Sequence, residues 1–182
     1  SDTAINYLSK FAKLMRIILT NSGEQYVPLS DELASLSYYL DIERLRFDNK
    51  FDYEIRTSDK IDTDFTGIPP MLIQPYAENS IIHGMMHKEG QGHITISISP
   101  AEPGKLMIIV EDDGVGRELS RMKREQSGLE RKSRGMLIAK RRLELLNKQN
   151  KHATSVRIID LKDQNGNACG TRVEILTTFE EL

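Results

Sequence analysis

The chain of 182 residues is informative first through what it has little of. It holds one cysteine, Cys169, so no internal disulfide is available and a reducing compartment fits. No apolar run reaches the roughly 18 residues of a membrane-spanning helix, so no span lies in this piece. No signal peptide opens it. It starts at Ser1 in mid-pattern, as a piece of something longer would. A net charge of −2 gives no electrostatic ground for binding nucleic acid. There is no GxxxxGK[ST] phosphate loop, no internal repeat and no low-complexity tract. With 29% charged and 38% apolar residues, what remains is an ordinary globular composition. It is long enough for one large domain, or a domain with an appendage, around a proper core.

The stretch from Ile68 to Met86, IPPMLIQPYAENSIIHGMM, organises the rest. Pro69 and Pro70 predict the opening of a helix, because a first-turn proline has no N–H to leave unpaired. Pro75 further in predicts a bend or restart. Tyr76, Ile81 and Ile82 supply an apolar face, Glu78, Asn79 and His83 a polar one, and Gly84 predicts a C-terminal stop. Asn79 and His83, four apart, share a helix face. On this stretch alone, a helix with one wet edge accounts for the pattern equally well.

A second stretch adds chemistry. Leu106 to Val110 has strand character and runs into Glu111-Asp112-Asp113-Gly114-Val115-Gly116. That places a carboxylate at a strand tip, followed by backbone that a ligand can approach closely. Alone, Asp-Gly is more often a hairpin turn.

Together the two stretches carry a resemblance. PYAENSIIHG resembles the N box, and EDDGVG the first glycine box, of the GHKL ATPases. From about Leu8 to Ile175 the chain resembles the C-terminal catalytic part of a sensor histidine kinase of the autolysin-sensor-like branch. The resemblance implies a Bergerat-type fold that binds ATP with Mg²⁺. Asp112 would accept a hydrogen bond from the adenine amine, with Gly114 and Gly116 leaving room for the base. Asn79 would offer its carbonyl oxygen to Mg²⁺, a hard ion that takes few protein ligands. Glu78 would accept a proton from the attacking group or orient it. His83 is placed either on the phosphate side or as an ordinary hydrogen-bonded helix residue. The basic segment from Arg117 to Arg134 reads as a flap over phosphates, which is also what a solvated charged loop looks like. The second glycine box departs from the common pattern: Gly135 matches, Ser133 replaces a glycine and Ile138 an asparagine. Gly170-Thr171 matches the last glycine-box position. His83 and His87, with His93 nearby, have a zinc-like spacing, but no cysteine or paired acid completes a site.

The remaining chain supplies the frame. Ala4, Tyr7, Leu8, Phe11, Leu14, Met15 and Ile18 form an amphipathic helical stripe. Ser30 predicts the cap of a second helix running to about Phe47. Strands are predicted at Phe51–Ile55, Ile94–Ile98, Leu106–Val110, around Val156–Asp160 and at Val173–Ile175, with a turn at Asn165-Gly166. A polar connection covers Asp59 to Gly67, and Met136 to Leu146 returns to helix spacing. The order predicts a two-layer α/β sandwich: a mixed, mostly antiparallel sheet with helices on one face, preceded by the N-terminal helix. Residues 1–25 are read as the remnant of a dimerisation and phosphoacceptor region, and 26–182 as the ATP-binding domain. The implied partners are a response regulator and a second copy through the N-terminal helices, with no nucleic acid. A membrane is met only through upstream segments, leaving this part cytoplasmic. None of the four histidines lies in the N-terminal helical region, so the acceptor is expected before Ser1. Two other readings remain open: a nucleotide-sensing or dimer-holding module without kinase activity, and a Ser/Thr kinase of the anti-sigma type.

Overall fold

The computed structural model describes residues 2–127, 141 and 154–182. Helix α1 (Asp2–Asn21) lies along α2 (Leu29–Arg46), burying Leu14 and pairing Lys10 with Asp41. The expected Ser30 cap does not form. Pro28 precedes the helix in extended conformation, and the Ser30 amide donates to the Thr63 carbonyl at 2.9 Å. Asp31 and Glu32 do occupy the first turn and Arg44 and Arg46 the last, as the helix dipole favours.

Five strands make the main sheet: β2 (Phe51–Thr57), β4 (Gly92–Pro100), β5 (Lys105–Asp112), β6 (Ser155–Lys162) and β7 (Ala168–Thr178). Their order is β2-β4-β5-β7-β6. Among the described residues only β2 and β4 run parallel, with Phe51 opposite Gly92; the other pairings in this sheet are antiparallel. The mixed, mostly antiparallel sandwich is therefore present. Ile94, Ile96 and Ile98 alternate inward beside Leu106, Ile108 and Val110, and this face carries Leu36 and Leu40 of α2 and Ile73 and Ile81. Thr95 and Ser97, facing the other way, are only partly covered.

A second small sheet was not expected. β1 (Val27–Pro28) and β8 (Glu180–Glu181) flank β3 (Thr66–Ile68), so the presumed polar connection from Asp59 to Gly67 ends in a buried strand. Strands of two or three residues show no alternation for a sequence to reveal.

The central helix differs in three ways from its sequence reading. Pro69 and Pro70 do not open it; the next residue, Met71, sits at φ 60° in a turn. Helix α3 (Gln74–Asn79) starts late enough for Pro75 to occupy its first turn. A helix begun at Pro69 would have put Pro75 in the second turn, where its ring clashes with a carbonyl. After Asn79 the chain widens into a π-helical segment, Ser80–Met85, confirmed by the Met86 amide donating to the Ile81 carbonyl at 3.0 Å. Gly84 is inside that segment and does not stop it.

The charged stretch after Gly116 is helical in its described part, α4 (Arg117–Ser127), with an Arg121–Glu125 pair one turn apart. Polar side chains at helical spacing support such a surface helix where no apolar stripe exists. The second glycine box, Gly135 included, and the expected helix over 136–146 apart from the helical Arg141 lie outside the described residues. Among the described residues no helix is long and apolar enough to cross a membrane.

Candidate functional site

A cavity of about 420 Å³ opens where four parts of the chain meet. Tyr76, Asn79, Ser80, His83 and Gly84 come from α3 and the π-helical segment; Asp112 comes from the end of β5 and Arg117 from the start of α4. Ile158 of β6 and Thr171 and Val173 of β7 close the far wall. The volume falls in the range of about 300–1,000 Å³ usual for small-molecule sites, with apolar walls and a few convergent polar groups.

Asp112 is the buried acid of the pair, 3% exposed. β5 ends there, opposite Thr171 on one side and Ile94 on the other. Its Oδ1 accepts the Gly114 amide at 2.9 Å. Burial pushes its carboxyl up to about 6, and the Asp113 charge adds to this, while bonds from Ser80, Gly114 and Thr171 hold it back. The neighbouring Asp113 does different work. Its Oδ1 accepts the His93 amide at 2.7 Å and its other oxygen pairs with Lys88 at 2.8 Å, fixing the loop from outside.

The glycines explain how close these pieces come. A Cβ on Gly84 would stand 2.7 Å from Asp112 Oδ1, and one on Gly114 would stand 2.4 Å from the Gly84 Cα. The π-helical turn thus presents bare backbone to the acidic loop. Gly170, at φ 143°, leaves no room either, since its Cβ would lie 1.9 Å from the Asp112 carbonyl oxygen.

Of the residues singled out from sequence, Asn79, His83, Asp112 and Thr171 line the cavity. Gly114 and Gly170 pack directly behind Asp112, and Gly116, at φ 80°, turns the chain toward Arg117. Glu78 does not line it. It faces α2, where burial raises its carboxyl and the Glu43 charge raises it further. Tyr39 is held well above its ordinary value by burial and by the same two acids. Sequence reasoning passed over Tyr76, Ser80, Ile158 and Val173 as lining residues. Ile158 and Val173 were legible only as alternating strand positions.

An acid at a strand tip, a carboxamide on the facing helix and glycines between them fit adenine and a metal-bound polyphosphate. Asp112 and Asn79 both line the cavity, the acid buried and the carboxamide-bearing residue partly exposed. The fold is the α+β sandwich of histidine kinase catalytic domains of solved structure. A family profile described as Histidine kinase matches residues 1–51. The sensor protein LytS of Oceanobacillus iheyensis is 34% identical over 119 residues, covering 65% of this chain and 20% of that protein. The sensor histidine kinase YpdA of Escherichia coli K12 is 31% identical over 116 residues, covering 63% of this chain and 20% of that protein. The chain thus spans about a fifth of the length of these relatives. Full-length ShkA in complex with AMPPNP superposes with a TM-score of 0.55 at 13% identity, over 100% of this chain and 37% of that one. The nucleotide-free catalytic domain of histidine kinase ThkA gives 0.54 at 12% identity, over 84% of this chain and 93% of that one. At such identities the structures speak for the fold. Over the matched stretches the chain is similar to sensor histidine kinases, with sensor proteins of the LytS type among them.

Proposed function

We propose that this chain is the ATP-binding catalytic part of a two-component sensor histidine kinase, joined to the end of its dimerisation helices. Residues 1–25 belong to the helical dimerisation region and 26–182 to the catalytic domain. The reaction is transfer of the ATP γ-phosphoryl group to a histidine upstream of Ser1, and from there to an aspartate of a response regulator. The attacking imidazole nitrogen bonds to the γ-phosphorus while the bond to the β–γ bridging oxygen breaks and ADP leaves. The observation that carries the reading is one cavity shared by the buried Asp112 carboxylate and the Asn79 carboxamide.

In this reading Asp112 accepts from the adenine amine, and Ile158 and Val173 cover the apolar faces of the base. Asn79 contributes its carbonyl oxygen to Mg²⁺, which neutralises phosphate charge. His83 and Arg117 stand on the same cavity and meet the nucleotide there, and Thr171 adds a hydroxyl beside Asp112. Gly135, by the resemblance, meets the phosphates from the second glycine box. Glu78, beside Asn79 but turned to α2, takes the imidazole proton or orients the ring from outside the nucleotide cavity. Its raised carboxyl suits an acceptor poised nearer to neutrality than a free glutamate.

The protein pairs with itself through α1. Ile5, Leu8, Met15 and Leu19 are exposed along one side of that helix at intervals of three, seven and four, leaving an apolar seam that α2 does not cover. The domain works on the cytoplasmic side, tethered through upstream segments. Calorimetric titration of ATP with Mg²⁺ into this chain and into Asp112→Asn tests the reading. Binding that the substitution abolishes supports it; equal binding by both, or none by either, overturns it.

A further inference from the structure

We infer that Glu32 is a positioning residue, which fixes where α3 begins and thereby places Asn79 for the metal. The inference rests on the reading of Asn79 as the metal-side residue of a nucleotide site. Glu32 belongs to the first turn of α2 and is 4% exposed. Its carboxylate reaches across to the chain before α3: Oε2 accepts the Met71 amide at 2.8 Å and Oε1 accepts the Ile73 amide at 3.1 Å. A carboxylate taking two backbone N–H groups forms charge-assisted bonds, stronger and more directional than neutral ones.

The turn that it holds needs holding. Met71 lies at φ 60°, a left-handed conformation that a residue with a side chain leaves unless its surroundings insist. Ile73, the residue before α3, offers no side-chain cap of its own, so apart from Pro75 in its first turn the helix start is held from across the fold. α3 is only six residues long and ends on Glu78 and Asn79. Any slip of its first residue is therefore passed undamped to Asn79.

The anchor also lies where the lead-in helix arrives. Ile17, Ile18 and Asn21 of α1 share a cavity of about 260 Å³ with Glu32, Pro70 and Met71. The Asn21 amide reaches Asp31 next door at 3.5 Å. A shift of α1 against α2 is thus delivered to the strained turn, and from there to the metal side of the site. The base side hangs on β5 and β7, which carry neither of the two amides that Glu32 holds.

The test is Glu32→Gln, which keeps shape and volume but replaces one acceptor with an amide that donates toward an N–H. Nucleotide affinity is measured by calorimetry with and without Mg²⁺, and amide hydrogen exchange is followed in the empty protein. The expected result is affinity without Mg²⁺ within threefold of the parent, with the Mg²⁺-dependent gain cut about tenfold. Exchange should quicken over residues 71–79 and not in β4 or β5. An unchanged Mg²⁺ gain, or affinity falling equally with and without Mg²⁺, overturns the inference. Should Glu32→Gln fail to fold, Glu32→Asp, which keeps the charge with a shorter reach, is read in its place by the same criteria. Absence of nucleotide binding by the parent chain sinks the functional reading instead, and the exchange pattern still decides whether Glu32 holds the turn.

Discussion

Arg117 grips Asp160 with two nitrogens, Nε to Oδ1 at 2.7 Å and Nη2 to Oδ2 at 2.7 Å, tying the start of α4 to β6 beside the cavity. Both side chains are about half-exposed, so the pair contributes little stability, on the order of 0–1 kcal/mol. Arg117 also lines the cavity while Asp160 does not. Arg117→Ala should weaken nucleotide binding severalfold with an almost unchanged melting temperature. Asp160→Asn frees the guanidinium and should leave binding equal or tighter. Equal losses from both, read by calorimetry, would make the pair a brace for the wall.

Asp112 gives two opposed pH effects. Its folded value of about 6 lies above the ordinary 3.8, so the native empty domain holds the proton more tightly than the unfolded chain. Its contribution to stability is then full below pH 3.8 and is lost as pH rises through about 6. Asp112→Asn removes the cost of a buried charge. At pH 7.5 it should stabilise the empty domain by roughly 1–3 kcal/mol while abolishing nucleotide binding. In the parent protein, affinity should fall as pH drops below about 6, because the adenine amine loses its carboxylate. Thermal melts and titrations across pH 5 to 8 check both signs.

Gly84→Ala places a methyl 2.7 Å from Asp112 Oδ1, with the Gly114 Cα at 3.5 Å behind it. The acidic loop must retreat. The expected cost is about 1–3 kcal/mol of stability, as for overpacking elsewhere, and at least tenfold in nucleotide affinity. A variant that binds normally would show that the loop yields without moving its carboxylate.

The seam on α1 predicts self-association. Sedimentation of this chain should show a concentration-dependent dimer, and Leu8→Lys with Met15→Lys should give a monomer whose nucleotide affinity is unchanged. Leu8 and Met15 are 64% and 37% exposed, so the double substitution leaves the packing of α1 on α2 through Leu14 intact. A dimer that survives it places the contact elsewhere.

The parts of the site that could be read from sequence were those in which a residue contradicts its surroundings. Asn79 is polar on an apolar helix, and Asp112 ends an apolar strand just before two glycines. The sheet was legible because Ile94, Ile96 and Ile98 alternate at its centre. What escaped was decided by contacts between distant segments. Ser80–Met85 has no composition that marks a π-helix; bare backbone at Gly84 meeting the Asp112 loop accounts for its place there. The first turn of α2 could be recognised as acidic, but which amides Glu32 serves, some forty residues later, is a tertiary fact. Arg117 sat in a run of charge, and only Asp160 and the cavity single it out.

The cavity wall is gathered from residues 76–84, 112–117, 158 and 171–173, so no contiguous fragment contains it. A chain emerging during synthesis completes the pocket only when β7 docks between β5 and β6. A bound nucleotide is then a reporter of the finished fold, and partly folded species gain nothing from it. By mass action, nucleotide at a hundred times its Kd stabilises the native state by about 2.7 kcal/mol against all of them at once. On the proposed function, in a cell rich in ATP the nucleotide would double as the agent that keeps the late-closing sheet shut.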